Sequence, residues 1–336
     1  MKILVNCSLP FALAHGGQAI QIQQTLAALE ANGCQTEPVR WWDETQTGDL
    51  IHFFGRMPAG HIRLAHQKKL PVVMGELLTG AGSRSRLQLC LQKFISRTMK
   101  CLAPRNFTTA FNWESYRLAD ACIALTPWEA HLMHYLFDAP TERIHVVTNG
   151  IEEVFLNAPK ASRGKWLVCT TTITERKRVL ELAAAAVVAQ TPIWIIGRAY
   201  ADTDSYAQQF FALARQHPLI IRYEGAVSDR DQLAKIYREA RGFVLLSAME
   251  SLSLSALEAT ACECPLLLSD LPWARTTFAN AASYCPIAKN IEATARRLRQ
   301  FYDITPSLPV PPKPPTWNEI GRQLKIIYES VLSTSR

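Results

Sequence analysis

The 336-residue sequence predicts an α/β protein of two doubly wound, Rossmann-like domains. Three observations carry that expectation. Short apolar runs alternate with helical patterns along the chain, as parallel strands buried on both faces do between crossover helices. A polar stretch, 157–165 (NAPKASRGK), interrupts the alternation near the middle and marks a domain boundary. The stretch 241–270, RGFVLLSAMESLSLSALEATACECPLLLSD, is a strand, turn, helix and strand in succession, with the helix N-terminus at the carboxyl end of the first strand. Such an end offers free N–H groups and the positive pole of the helix dipole, so it can receive a phosphate.

The first domain is expected over 1–156. Residues 2–5 read as a strand, since the apolar run is short and lacks a cleavage-type end. His15, Gly16 and Gly17 follow, then an amphipathic run with Ala19, Ile20, Ile22, Leu26 and Leu29 that ends at Gly33. Strand, glycine loop and helix can cradle a phosphate, although a glycine pair by itself also marks a plain tight turn. Further strands are expected at 50–54, 72–74 and 121–125. Glu76, just past the second of these, can meet an acceptor hydroxyl or serve as a capping or surface residue. From 84 to 105 the chain is cationic, with Arg84, Arg86, Lys93, Arg97, Lys100 and Arg105 and no acid among them. Leu87, Leu91, Phe94, Ile95 and Leu102 supply apolar positions there. The segment reads either as a helix packed on the sheet with a solvated charged face, or as a surface helix resting on anionic lipid. His131 and His134 are i,i+3 on the next helix but lack an acidic third ligand, so no metal site is expected. Asn149-Gly150 is a turn signal.

The second domain is expected over 165–312. It opens with a strand at 166–172, followed by Arg176, Lys177 and Arg178 at a helix start. Cations there are unfavourable unless an anion is bound, which argues for a phosphate. Strands at 193–196 and 220–224 alternate with helices at 205–216 and 229–239. In the central unit the strand 243–246 leads into a polar turn carrying Glu250. The helix after it repeats Leu254, Leu257 and Ala261, with Ser251 or Ser253 as N-cap and Glu258 as a second acid. Strands at 265–268 and near Tyr284, a helix at 290–302, a proline-rich connector at 306–315 and a last helix at 316–333 complete the chain.

Composition narrows the function. With 48% hydrophobic and 19% charged residues the chain is globular rather than disordered. Nine cysteines without a framework point to reduced thiols and a cytoplasmic setting. Cys262 and Cys264 have no partner pair and read as small apolar residues. No run reaches the length of a membrane span. A net charge of +7 admits an anionic donor or lipid surface. The basic residues are not interleaved with aromatics in a nucleic-acid module, so no nucleic acid is expected.

The E-x7-E spacing in 250–259, ESLSLSALEA, resembles the retaining, nucleotide-sugar-dependent glycosyltransferases of family 4, which have the GT-B fold of two Rossmann-like domains with a cleft between them. The resemblance implies that Glu250 contacts the donor sugar, with Lys177 its catalytic partner neutralising the leaving diphosphate, and that Glu258 holds the ribose hydroxyls. Ser251, Leu252, Ser253 and Leu254 would line the diphosphate, and the backbone at Ala226 and Val227 would read the nucleobase. Gly16 and Gly17 would approach the donor phosphates or the acceptor, with His15 and Glu76 on the acceptor side. The last helix would cross back to the first domain. The sequence departs from the pattern at both motif glycines, replaced by Ser251 and Ser253, and at Thr172, which stands where the family has an arginine; Arg176 or Arg178 could supply that charge. The implied reaction transfers a sugar from a nucleotide diphosphate to a glycan or lipid-linked acceptor, as in polysaccharide biosynthesis, with retention and with neither metal nor cofactor. The location expected from the cysteines is the cytoplasm, and the lipid reading of 84–105 would add peripheral contact at the inner membrane face. A nucleotide-sugar epimerase or hydrolase on the same fold, or a catalytically silent nucleotide-sugar-binding protein, are the rival readings.

Overall fold

Parallel pairing organises the chain, as the alternating apolar runs require. The computed structural model describes residues 1–7, 16–102, 111–157, 159, 161–288 and 290–334. They form two α/β units, one of 1–150 with 317–336 and one of 151–316.

The sheet of the first unit has the order β2-β1-β3-β4-β5-β6, all parallel. Its strands are β1 (Lys2–Cys7), β2 (Gln35–Pro38), β3 (Leu50–Phe54), β4 (Val72–Gly75), β5 (Ala121–Ala124) and β6 (Ile144–Val146). Every residue of β3 and β5 is buried, as central strands covered on both faces demand. The edge strand β2 is half-exposed and reads QTEP, so no apolar pattern announces it. The longer helices are α1 (Gly17–Ala31), α2 (Ala59–Gln67), α3 (Arg86–Leu102) and α4 (Pro127–Phe137).

The last helix of the chain, Trp317–Thr334, packs on α1 within this unit. A Cβ at Gly321 would stand 2.5 Å from the Ala28 carbonyl oxygen, so only glycine permits the close approach. Polar bonds fix the register: Asn32 Nδ2 donates to Asn318 Oδ1 at 2.8 Å and Lys325 Nζ to the Asn32 carbonyl at 2.9 Å. The helix also brings the Tyr328 hydroxyl within 2.6 Å of Nδ1 of His52, which is buried in β3. Burial lowers the His52 pKa from 6.5 to about 3 and raises that of the Tyr328 phenol. The folded-state value lies below the unfolded one, so the neutral ring's contribution is complete above pH 6.5 and is lost as pH falls toward 3. Stability should therefore decline below that point by up to about 1.4 kcal/mol per pH unit. Urea midpoints from pH 7 to 4 should show this slope, and His52→Phe should flatten it.

Helix α3 is inverted. Leu89 is its buried residue, while Leu87 is 83% exposed, Leu91 59%, Phe94 68% and Leu102 80%. Two lysines lie on the inner side: Lys93 Nζ stands 3.7 Å from the Tyr135 ring centroid, and Lys100 Nζ is 3.0 Å from Asp138. The reading of an apolar face packed on the sheet is therefore overturned, while Arg84, Arg86 and Arg97 are exposed as that reading had them. The side facing α4 offers aromatic rings and a carboxylate, which suit cations better than alkyl groups. Arg105 lies outside the described residues.

The second unit has the order β12-β11-β10-β7-β8-β9, all parallel. The strands are β7 (Leu167–Thr170), β8 (Ile193–Ile196), β9 (Ile221–Tyr223), β10 (Gly242–Leu245), β11 (Leu266–Ser269) and β12 (Ser283–Cys285). Crossing helices are α5 (Val179–Val188), α6 (Ser205–Gln216), α7 (Arg230–Glu239), α8 (Leu254–Ala261) and α9 (Ile291–Ile304). Strand order reverses between β7 and β10, which makes their carboxyl ends the switch point where such sheets bind ligands.

The boundary falls at Gly150 rather than at 157–165. Residues 151–156 belong to the second unit because Phe155 is fully buried there, its ring centroid 6.0 Å from that of Tyr237. Arg163, within the polar stretch, is held rather than loose. Arg163 donates to the carbonyls of Tyr237, Arg238 and Ala240 at 2.7, 2.8 and 3.2 Å, and of Cys262 and Glu263 at 3.3 and 2.7 Å. One guanidinium thus serves the carbonyl-rich ends of both α7 and α8. Arg163→Ala should lower stability by about 2–3 kcal/mol, read as a melting-temperature shift.

Candidate functional site

The switch point of the second unit is furnished by two loops. After β7 the chain makes a single turn, Glu175–Lys177, before α5 begins. Arg178 joins the two in the left-handed conformation, φ 53°, and its guanidinium donates to the Ala288 carbonyl at 2.7 Å. After β10 comes the polar loop that precedes α8. The backbone N–H of Ala248 donates to the Arg176 carbonyl at 2.8 Å, and Arg176 Nη1 donates to the Met249 carbonyl at 2.7 Å. These bonds align Lys177, whose ammonium donates directly to Glu250 Oε1, with Arg176 Nη1 3.4 Å from the same oxygen. The Lys177 and Glu250 side chains are only 13% and 10% exposed. Two positive groups and one carboxylate are thereby concentrated where β7 and β10 part.

The α8 N-terminus opens beside Glu250. Ser253 caps it with φ −83°, its Oγ accepting from the Ala256 N–H at 3.3 Å. Neither Ser251 nor Ser253 has positive φ, so the loop needs no glycine at either place. Ser251, Leu252 and Ser253 are buried and Leu254, the first residue of α8, is half-buried. Thr172 is half-buried in the loop after β7.

Glu258, one turn further along α8, is 7% exposed. A buried carboxylate needs partners. Arg230 Nη2 donates to Glu258 Oε1 at 2.6 Å, and the Tyr237 hydroxyl donates to Oε2 at 3.0 Å. Arg230 is shared with Glu152, to which its Nε donates at 2.7 Å, and its guanidinium lies 4.6 Å from the Phe155 ring centroid. Burial pulls the Arg230 pKa down, but the Glu258 and Glu152 carboxylates outweigh it and leave the value raised. Tyr237 also bonds Thr170 Oγ1 at the end of β7, and burial raises its phenol well above the ordinary range. Arg230, Tyr237, Thr170 and Glu152 were not singled out in the sequence. The available signal was Glu258 itself, since an acid on an otherwise apolar helix implies a cation nearby. Tyr237→Phe leaves the ring in place and removes both hydroxyl bonds, so we expect a loss of about 1–3 kcal/mol in urea unfolding.

Val227 is half-buried in the loop between β9 and α7, two residues beyond Gly225, whose φ is 86°. At the neighbouring strand end Gly197 has φ 152°, and a Cβ there would stand 1.7 Å from the Thr171 carbonyl oxygen.

In the first unit, Gly16 has φ 152° and stands at the start of α1, whose first residue is Gly17. That helix start has no side-chain cap and no acid in its first turn. His15 lies outside the described residues. Glu76 is held rather than solvated: Arg56 Nε donates to its Oε2 at 2.7 Å, and the Tyr116 hydroxyl donates to the same oxygen. With Gln21, His52 and Asn149 it lines a recess at the carboxyl ends of β3 to β6. Among the described residues no group of three or more His, Cys, Asp or Glu could hold a metal ion, and no helix is long and apolar enough to cross a membrane.

Residues 158–315 match the model of a family described as glycosyl transferases group 1. No curated protein matches the chain. Solved structures similar along the whole chain include a sucrose-phosphate synthase from Thermosynechococcus elongatus, 17% identical, covering 99% of this chain and 100% of that one, with a TM-score of 0.68. A glycosyltransferase from Rickettsia africae is 12% identical over 98% of both chains, TM-score 0.67. Anabaena HepE, solved with UDP and glucose, is 14% identical over 99% of both chains, TM-score 0.64. At these identities the likeness gives the fold class: α/β, with two parallel six-stranded sheets as in GT-B glycosyltransferases.

Proposed function

We propose that this chain, whose second unit matches the glycosyl transferases group 1, is a glycosyltransferase of the family 4 type that moves a sugar from a nucleotide diphosphate to a glycan or lipid-linked acceptor with retention. The observation that carries the reading is the pairing of Lys177 with Glu250 beside the capped N-terminus of α8, at the switch point of the second unit. In the proposed complex the donor diphosphate lies over the N–H groups near Ser253 and Leu254. Lys177 and Arg176 supply cations there, Arg176 standing in for the arginine that Thr172 replaces. Glu250, freed from Lys177 by the incoming phosphates, takes the donor sugar hydroxyls. Glu258 accepts from the ribose while Arg230 and Tyr237 hold it in place, and the backbone at Val227 borders the base. Gly16 and Gly17 turn the α1 N-terminus toward anionic or acceptor groups, with His15 and Glu76 among the acceptor contacts.

Departure of the nucleoside diphosphate creates negative charge, and fixed cations and helix N–H groups stabilise it without reorganisation. In a same-face substitution the leaving phosphate oxygen takes the acceptor proton, so the chemistry asks for no metal ion and no cofactor. Such an enzyme would work in the cytoplasm. HepE has been solved with UDP-glucose, which puts UDP-sugars first among candidate donors.

A thermal-shift and calorimetric panel of UDP-, GDP-, ADP- and CDP-sugars on wild type and Glu258→Ala tests this. One nucleotide class should raise the melting temperature of the wild type, by mass action, and lose affinity in the variant. Binding by none of them would sink the donor site. Epimerisation or hydrolysis of a bound donor without transfer, or binding with no turnover, would replace the transferase reading with one of its rivals.

A further inference from the structure

Helix α3 turns toward solvent the side that a packed helix would bury. Leu87, Leu91, Phe94, Ile95 and Leu102 fall at i, i+4, i+7, i+8 and i+15, one continuous stripe, and all are exposed. Among the described residues nothing buries this stripe, and lysines on the opposite side tie the helix to α4. Arg84, Arg86 and Arg97 are exposed around it, and 84–102 contains no acid. Aromatic side chains continue the surface: Phe111 is 40% exposed and stacks on Trp113 at 4.8 Å. Beside α3 an open groove of about 400 Å³ is lined by Arg84, Leu91, Ile95 and Trp113 among others.

From these residues we infer that α3 is a docking surface for an anionic lipid bilayer, lying in the interface with its leucines and Phe94 among the acyl chains and its arginines at the headgroups. The charge decides between a bilayer and a second copy of the chain. Pairing two α3 stripes would bring arginines of both copies together with no acid on either helix, whereas anionic headgroups complement them. Leucine, phenylalanine and tryptophan flanked by arginine is also the composition that partitions to an interface. The inference stands on α3 alone and does not depend on the sugar-transfer reading, though it would place a lipid-linked acceptor within reach.

The test is sedimentation of the full chain with vesicles of phosphatidylcholine, with and without about 30% phosphatidylglycerol. The variants are Leu87→Ser/Leu91→Ser/Phe94→Ser and Arg84→Ser/Arg86→Ser/Arg97→Ser. Every altered side chain is exposed, so melting temperatures should match wild type. Wild type should pellet with the anionic vesicles, and much less with neutral ones. The serine-for-apolar variant should bind about a hundredfold more weakly, and the arginine variant should lose its preference for phosphatidylglycerol and its sensitivity to salt. Failure of the wild type to pellet, or pelleting that both variants retain, overturns the proposal. So does a wild-type dimer on size exclusion that the apolar variant dissolves, since the stripe would then belong to a second copy.

Discussion

Lys177→Met is expected to slow donor turnover by about a hundred- to a thousandfold at saturating donor, the range found when a preorganised charge opposite a developing anion is removed. The variant keeps most of the side-chain volume and deletes only the ammonium that now holds Glu250. Donor affinity should fall less than rate, because the charge on the diphosphate grows as the sugar–oxygen bond breaks. Lys177→Arg should recover part of the rate, since it restores the charge but not its compact placement. The measurement is kcat and KM with the donor found in the nucleotide-sugar panel, and a rate within about twofold of wild type would remove Lys177 from the mechanism. Melting curves run in parallel separate this from a folding defect. Glu250 is 10% exposed and loses its closest cation in the variant, so some loss of stability is expected. A double substitution with Glu250→Gln should return that part of the loss while leaving turnover low.

The second large effect is on folding. Gly197→Ala should destabilise the second unit by about 3 kcal/mol or more. Two penalties coincide: φ of 152° is available to glycine and not to alanine, and the new Cβ would lie 1.7 Å from the Thr171 carbonyl oxygen. No side chain can move aside, because the obstacle is backbone. The Thr171 N–H donates to the Ile196 carbonyl and the Gly197 N–H to the Gly225 carbonyl, so one displaced peptide disturbs three adjoining strand ends. Chemical denaturation would read the loss directly. An unchanged urea midpoint would mean that the tight passage at Thr171 relaxes freely.

How far the sequence reached differs by element, for physical reasons. Buried parallel strands such as β10 are apolar runs and stand out in the sequence. The edge strand β2 gains its place from backbone pairing with β1 alone, which leaves no imprint on side-chain pattern. The orientation of α3 stays open in the sequence for a related reason. Periodicity shows that a helix has two faces, while which one turns inward depends on what waits there, here Tyr135 and Asp138. The unit boundary lies ahead of the polar stretch because polarity there serves packing: Arg163 ties helix ends together. At the candidate site, Lys177 and Glu250 were both singled out and the fold brings them into contact across 73 residues. Arg230 and Tyr237 escaped because their tie to Glu258 crosses from α7 to α8, a pairing no local spacing encodes.

The return of the last helix to the first unit bears on the order in which the chain can fold during synthesis. The second unit is continuous, 151–316, and all of its strands exist before residues 317–336 are made. The first unit is begun first and finished last: until Gly321 meets Ala28 and Tyr328 reaches His52, one side of α1 and a buried imidazole lack their cover. A nascent chain therefore carries an open amino-terminal sheet throughout the making of the second unit, a period in which exposed apolar surface invites chaperones. A chain stopped after Thr316 should bind a hydrophobic dye and lose its protease resistance in the first unit while keeping it in the second. Equal resistance in both would show that the closing helix is dispensable.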